Sequence, residues 1–338
     1  MRTARPLTQA NKASSQDRRW LQAAASLAMR GRPLSRPNPA VGAIAVKDGR
    51  VIGRGWTAEG GRPHAEAVAI AEAGEAVRGS TVYVTLEPCA HESRRGPACA
   101  SLLVEARPAR VVIGCGDPDP RTNGRGIALL REAGITADHI PCAASRQSLA
   151  GFLSRETRGR PHVTLKLALS LDGCIATAAG ESQWITGPEA RAHTHMLRAM
   201  SDAILVGGGT LRADNPRLDV RLPGLAHCSP ARWVLTRGDA PEGWNALAHP
   251  ADLSPLLPSQ YLLVEGGAQT AAAFLAADMV DRLAIYRAPI VIGGGKPGVA
   301  DIGLASLAAA HGRWRIAERR MLGKDELCVY ERRPCSPE

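Results

Sequence analysis

Four residues of this chain could together activate a water molecule: His64 and Glu66 in "PHAEAVAI", Cys89 in "TLEPCAH" and Cys99 in "GPACASLL". A catalytic zinc takes three protein ligands and keeps a fourth position open for water. His64, Cys89 and Cys99 supply three, and zinc would lower the pKa of a water held there to about 7, giving hydroxide near neutral pH. Glu66, outside the coordination shell, could then carry a proton from that water to a leaving amine. The competing readings of the two cysteines are a disulfide and a coincidence of composition. Cysteines stand at 89, 99, 115, 142, 174, 228, 328 and 335 with no secretory signal, which argues against a disulfide framework and for a reducing compartment.

The site makes demands on the elements around it. Residues i and i+2 of a regular helix point about 200° apart, so His64 and Glu66 share a site only at a helix end. Pro63 meets that condition, because helices often begin at proline. Cys89 follows the strand "STVYVTLEP", and Pro97 prepares a helix start beside Cys99. A helix N-terminus favours the thiolate that zinc binds.

Around these residues the first half alternates: helix "WLQAAASLAMR", hairpin "VGAIAVKDGRVIGRGW" with an Asp-Gly turn, helix "HAEAVAIAEAG", helix "ACASLLVEA", strand "ARVVIGCGDPDP" and helix "GIALLREAG". This is an α/β layer pattern. The texture changes over 146–160, most sharply at "RGRP". A second series follows, with strands "HVTLKLALS", "DAILVGGG", "RWVLTR", "YLLVEGG", "RLAIYRAPIVIGGG" and "LCVYERR" and helices "GPEARAHTHMLRAM" and "AQTAAAFLAADM". We divide the chain into a flexible tail over 1–16, one domain over 17–150 and a second over 151–338. The basic opening lacks the apolar core and cleavage site of a targeting peptide.

A length of 338 residues fits two domains, and 45% hydrophobic with 22% charged residues fits globular cores. No apolar run is long enough to span a bilayer as a helix. The net charge of +10 suits phosphorylated small molecules or nucleic acid. Only 4% of residues are aromatic and no long basic block occurs, so a single-strand stacking platform is poorly supplied.

Zinc deaminases carry H-x-E followed by P-C-x-x-C; here "HAE" and "PC" are present, but the second cysteine lies ten positions after the first. With "RPNPAVGAIAVKDG", "YVTLEPCAH", "GPACASLL" and "GRGIALLREAGI", the chain resembles the bifunctional riboflavin-biosynthesis deaminase/reductases over about residues 17–333. The resemblance implies a cytidine-deaminase-like α/β/α domain followed by a dihydrofolate-reductase-like α/β domain. It implies that His64, Cys89 and Cys99 bind Zn2+, that Glu66 is the proton donor, and that the substrate is a diaminopyrimidinone ribotide. Asn38, in "PNP", is either a substrate residue or a turn former.

The phrases "KLALSLDG", "GESQWITG", "LRAMSDAILVGGGTLRADNPRLDVR" and "LLVEGGAQTAAAFL" resemble the reductase half. "VEGGAQTAAAF" places glycines before a helix, where backbone amides can approach an anion, and differs from the G-x-G-x-x-G dinucleotide fingerprint. By resemblance, Ala168, Trp184, Thr210, Asp214 and the run Gly267, Ala268, Gln269, Thr270 line an NADPH site. Ser182, Arg198, Leu218, Arg221 and Glu265 fall where the family holds the phosphoribosyl substrate; core packing of Trp184 and Leu218 and a solvated Arg198 are the alternatives.

Three features depart from the family pattern. The loop between the cysteines is one residue longer, Cys174 stands where a basic residue is expected, and the stretch between Arg221 and Tyr261 is short. His193 and His195 diverge on a helix and are expected at the surface or in packing. The expected setting is cytoplasmic, with a phosphorylated pyrimidine as partner and neither nucleic acid nor membrane. Oligomeric state is left open, a homodimer or higher homo-oligomer included. A base deaminase acting on nucleic acid would not need the second domain, and a zinc-stabilised binding module would have no use for Glu66.

Overall fold

The computed structural model describes residues 14–91 and 95–333. Two compact units result, Met1–Ala150 and Gly151–Glu338. The expected tail over 1–16 lies outside the described residues up to 13. Ser14 is already the N-cap of helix α1 (Ser15–Ala28), which starts earlier than its apolar run because Ser14 and Asp17 form a capping box. Ser14 Oγ accepts from the Asp17 amide at 3.0 Å, and the Ser14 amide donates to the Asp17 carboxylate at 3.3 Å.

In the first unit, α1 is followed by β1 (Gly42–Lys47), β2 (Arg50–Trp56), α2 (Ala65–Ala73), β3 (Thr81–Val84), α3 (Cys99–Ala106), β4 (Arg110–Ile113), α4 (Arg125–Glu132), β5 (Thr136–His139) and α5 (Ala143–Ser148). The five strands form one sheet in the order β2-β1-β3-β4-β5. β1 pairs antiparallel with β2 and β3, whereas β3, β4 and β5 run parallel. The hairpin turns at Asp48 and Gly49, both at positive φ (50° and 73°), as a two-residue turn that matches strand twist requires. Leu21, Ile44, Val46, Tyr83 and Val112 belong to the core under α1. Strand β5, "TADH", escapes sequence reading because only Ala137 among its four residues is buried.

Placement of α2 matters most for the site. A Cβ at Gly55 would stand 2.1 Å from the Ala65 carbonyl, so β2 lets the first turn of α2 lie directly on it. The alanine-rich helix "AEAVAIAEA" makes that close approach possible, and His64 is fixed at its N-cap.

The second unit runs α6 (Ala150–Arg158), β6 (His162–Leu169), β7 (Cys174–Ala176), α7 (Pro188–Ala199), β8 (Ala203–Gly207), α8 (Gly208–Asp214), β9 (Ala231–Leu235), β10 (Asn245–Leu247), β11 (Tyr261–Val264), α9 (Ala268–Ala276), β12 (Arg282–Arg287), β13 (Lys296–Pro297), β14 (Trp314–Leu322) and β15 (Asp325–Arg332). Its main sheet has the order β10-β9-β8-β11-β6-β12-β15-β14, with β7 and β13 in a separate ladder. Strands β10 through β12 are parallel, and β15 and β14 are antiparallel additions. Every residue of β8 and β11 is buried, as central parallel strands between helices must be.

Two expectations are corrected here, and one strand was not foreseen. "DAILVGGG" stops as a strand at Gly207 and continues as α8. "RLAIYRAPIVIGGG" stops at Arg287, two residues before Pro289, which has no amide to extend a ladder. Strand β14 gives no periodic signal because it is exposed along nearly its whole length. The "RGRP" break is pinned inside the second unit: Arg158 donates to the Asp281 carboxylate at 2.7 Å, Arg160 donates to it twice, at 2.7 and 2.9 Å, and the Val163 amide adds a fourth bond at 2.8 Å. Among the described residues, no helix is long and apolar enough to cross a membrane.

Candidate active sites

The zinc-type donors converge in the first unit. His64 caps α2, Cys99 opens α3, and Cys89 lies in the loop after β3. His64 Nδ1 stands 3.2 Å from Cys99 Sγ and 3.7 Å from Cys89 Sγ, and all three donor atoms lie within 4.8 Å of one another. Nitrogen and sulfur bound tetrahedrally to one zinc are about 3.5 Å apart, given bonds of about 2.0 and 2.3 Å. Both the spacing and the His-Cys-Cys donor chemistry fit that ion. Among the described residues this is the one His/Cys/Asp/Glu group with metal-holding geometry.

Electrostatics favour the same use. The Cys99 thiol, ahead of His64, stabilises the Cys89 thiolate and draws its pKa down. The backbone amide of Cys99 also donates to Cys89 Sγ at 3.3 Å. Glu66 is 3% exposed in the first turn of α2. Burial pushes its pKa up, against the opposing charge of His64. A carboxyl shifted upward beside a metal site is suited to proton transfer near neutral pH.

Two supporting residues in this unit were missed by sequence reading. Glu87, in "TLEP", accepts from the Gly124 and Ile127 amides at 3.1 and 3.2 Å and so caps α4 beside the Cys89 loop. A buried acid ending an apolar strand just before Pro-Cys was its only signal. Asp117 is pushed to about 6 by burial first, with the charges of Asp119, Glu87 and Cys89 adding to the rise. Asn38 is brought to His64, its Nδ2 at 2.9 Å from Nε2.

The second unit holds a cleft of about 1010 Å³ near the carboxyl ends of its parallel strands, where open α/β sheets take their ligands. Of the residues named for cofactor, Ala168, Trp184, Thr210, Asp214 and Gly267 line it. Ala268, Gln269 and Thr270 form the first turn of α9 behind Gly267 and are not among the lining residues; Thr270 is buried. Gly267 caps α9 without a side-chain bond, which leaves the helix's first amides for an anion. Trp184 is 65% exposed with the Arg191 guanidinium 4.8 Å from its ring centre, so it is no core residue.

Ser182, Arg198, Leu218, Arg221 and Glu265 also line the cleft. Arg198 is not free to solvent: Nε and Nη2 donate to the two Glu265 oxygens at 2.7 and 3.0 Å, and Nη1 donates to the Asp219 carbonyl. Burial opposes ionisation of Glu265, but Arg198 and Lys166 prevail and hold its pKa down. Lys166, a half-buried cleft residue that sequence reading missed, has its own pKa lowered by desolvation. Its signal was a lone lysine in the apolar strand "VTLKLAL". Leu218 is 4% exposed and packs with Ile204 and Leu263.

Cys174 is buried, and the cleft lysine Lys296 comes from β13, the strand paired with β7. His193 turns to Tyr286, at 2.6 Å from its hydroxyl, while His195 accepts from the Arg221 amide at 3.3 Å. The two imidazoles therefore diverge.

Comparison with known proteins assigns both units to families. Residues 14–115 match the cytidine and deoxycytidylate deaminase zinc-binding region, and residues 161–245 and 258–326 match the RibD C-terminal domain. The chain is 35% identical to the riboflavin biosynthesis protein RibD of Haemophilus influenzae, over 94% of this chain and 98% of that one. Identity to the Escherichia coli protein of the same name is 37%, over 93% and 99%. The solved structure of Acinetobacter baumannii RibD aligns with a TM-score of 0.81 at 35% identity, covering 94% of this chain and 99% of that one. That of a Thermotoga maritima diaminohydroxyphosphoribosylaminopyrimidine deaminase/5-amino-6-(5-phosphoribosylamino)uracil reductase aligns at 0.83 with 30% identity, covering 94% and 98%. This chain belongs to the RibD family of bifunctional riboflavin-biosynthesis enzymes, a zinc-dependent deaminase domain followed by an NADPH-dependent reductase domain.

Proposed function

We propose that the first unit hydrolyses the exocyclic amine of a diaminopyrimidinone carrying a ribosylamino 5′-phosphate, and that the second reduces the ribosyl group of the product to ribityl. One observation carries the reading: three ligand atoms converge on a point beside a buried, non-ligand carboxyl, Glu66. Zinc held by His64, Cys89 and Cys99 supplies the acidity that makes water a nucleophile near pH 7. Glu66 takes a proton from the attacking water and passes it to the ring nitrogen, then carries the second oxygen-bound proton to the exocyclic amine. A C–O bond forms, the C–N bond breaks, and nitrogen leaves as ammonia.

In the second unit bound NADPH would supply a hydride to the ribosyl C1, while the bond from C1 to the ring oxygen opens and that oxygen takes a proton from solvent. The chain's task there is to hold nicotinamide and sugar in register. Ala168, Trp184, Thr210, Asp214 and Gly267 form the cofactor side of the proposed site, with Ala268, Gln269 and Thr270 behind it. Ser182, Arg198, Leu218, Arg221 and Glu265 form the substrate side. The Glu265 carboxylate, fixed by Arg198, offers two acceptors for sugar hydroxyls, while Arg221, 54% exposed, is the more available cation for phosphate.

The proposed partner is this phosphorylated pyrimidine, in a cytoplasmic setting and without nucleic acid. The reductase unit disfavours a base deaminase acting on nucleic acid, and Glu66 disfavours a non-catalytic zinc module. Ammonia release and NADPH oxidation, followed together on the diaminopyrimidinone ribotide, test the reading. Ammonia without NADPH, then NADPH consumption on its addition, is the expected result. Absence of both from zinc-loaded protein overturns it. Light scattering on the same preparation decides between a monomer and a homodimer or higher homo-oligomer.

A further inference from the structure

The segment 217–221 puts Arg217, Leu218 and Arg221 on the wall of the second unit's cleft. It belongs to no helix or strand, so something other than regular structure must hold it. Leu218 turns it at a φ of 55°, a conformation that a branched side chain keeps only where its surroundings enforce it. The three residues that follow are each tied down through the backbone. The Asp219 carbonyl accepts from Arg198 Nη1 at 3.2 Å, the Val220 amide donates to Ser229 Oγ at 3.0 Å, and the Arg221 amide donates to His195 Nδ1 at 3.3 Å. Two of these three ties come from α7.

The side chain of Arg221 is held more loosely than its backbone. Asp219 gives one carboxylate oxygen to Arg217 Nη2 at 2.6 Å, while Arg221 Nε stands 3.5 Å from the other. A charge-assisted hydrogen bond would be about 2.7–2.9 Å, so an incoming phosphate has no tight partner to displace. What fixes Arg221 is its amide, and the group on that amide is His195, itself a cleft residue. Burial first, then the charges of Arg198 and Arg221, hold the His195 pKa below the usual histidine value, against the Asp219 carbonyl and Glu265. At pH 7 the ring is therefore neutral and keeps the lone pair that the Arg221 amide needs.

We infer that His195 is a positioning residue of the reductase cleft: by accepting from the Arg221 amide it ties the segment to α7 and aims the Arg221 guanidinium at the substrate phosphate. The inference rests on the reading of Arg221 as the phosphate cation, and it gives His195 a task apart from any contact with the reacting sugar. Helix α7 then serves the substrate twice. Arg198 fixes Glu265 on the sugar side, and His195, three residues earlier, fixes Arg221 on the phosphate side. Residues three apart share a helix face, which lets one helix do both. His193, two residues before His195, faces elsewhere and meets Tyr286.

NADPH oxidation by the full chain on the deaminated ribotide tests this, with ribose 5-phosphate as competitor and His195→Ala, His195→Asn and Arg221→Ala set beside wild type. His195→Ala should raise KM for the ribotide and weaken inhibition by ribose 5-phosphate by about 3–10-fold each, the worth of one hydrogen bond, with kcat held. His195→Asn, whose side-chain oxygen can accept near the place of Nδ1, should restore most of both. Wild-type constants in His195→Ala beside a weakened Arg221→Ala would overturn the inference. So would a fall in kcat with KM unchanged, because His195 would then act on the reacting atoms. Equal losses in both His195 variants would also overturn it, since the imidazole itself would be meeting the phosphate. Unchanged constants in Arg221→Ala would instead sink the phosphate assignment on which the inference rests. Should His195→Ala not fold, long-range proton–nitrogen spectra of the wild-type histidines decide: Nδ1 of His195 must carry no proton at pH 7, and a proton there overturns the inference.

Discussion

The two sites of this chain use buried charge in opposite ways. In the first unit the side chains facing Glu66 are those of His64, Cys89 and Cys99, and burial raises its pKa so that it can trade protons. In the second, Glu265 is less deeply enclosed, its side chain 9% exposed, and is gripped by Arg198 at 2.7 and 3.0 Å with Lys166 nearby, and its pKa falls. The same carboxyl chemistry, withdrawn from water in both places, thus becomes a proton carrier in one and a fixed anion in the other. The side chains that face each carboxyl decide which: histidine and cysteines at Glu66, an arginine and a lysine at Glu265.

The largest expected effect tests the proton-carrying side. Glu66→Gln keeps the shape but removes the titrating group, and should lower ammonia release by about 10²–10⁴-fold. Zinc content should hold, and so should NADPH oxidation on substrate that is already deaminated. A parallel loss of NADPH oxidation would break the comparison, because the carboxyl would then serve both halves.

Removal of the cation tests the other side. Arg198→Ala strands the Glu265 carboxylate in a buried setting, and breaking such a pair costs about 3–5 kcal/mol. Denaturant unfolding should show that loss in the second unit, with zinc affinity untouched. Its pH signature follows from the sign of the shift. Without Arg198 the Glu265 pKa rises, the group is protonated at lower pH, and any reductase activity left should increase as pH rises. A pH-independent loss would mean that Arg198 acts on substrate alone.

How far each site was legible follows from the range over which it is assembled. The zinc centre lies within residues 64–99, and its signals are local: Pro63 ahead of a helix start, a strand ending in Pro-Cys, and Pro97 ahead of Cys99. Chemistry and backbone there obey the same short-range rules, so His64, Glu66, Cys89 and Cys99 could be read together. Glu87 was not legible, because its partners Gly124 and Ile127 come from a helix start 37 and 40 residues on. The reductase cleft draws on residues from Lys166 to Lys296, and only resemblance gathered its members. Even so, it could not foretell that Arg198 is engaged by Glu265, a pairing 67 residues apart in sequence. In the fold, the buried strands β8 and β11 were plain from their apolar runs. The polar edge β5 and the exposed β14 were not, since neither buries enough to leave a period in the sequence.

A smaller effect sharpens the contrast away from either site. Asp281 is another buried carboxylate whose neighbouring cations prevail: burial alone would raise its pKa, but Arg160, with His162 and Arg158, holds it at about 2. A fall from the usual 3.8 to about 2 corresponds to about 2 kcal/mol of stabilisation. Because the folded pKa is depressed, that contribution is complete above about pH 4 and is lost as pH falls through about 2. Asp281→Asn should therefore destabilise the second unit by roughly 2 kcal/mol at pH 7 and flatten its acid dependence between these limits. If the variant keeps the wild-type acid profile, the cations around Asp281 do not set its ionisation, and the parallel with Glu265 fails. If only the profile flattens while neutral stability holds, the amide has replaced the carboxylate as acceptor for the Val163 amide, and the arginines contribute less than their 2.7 Å contacts imply.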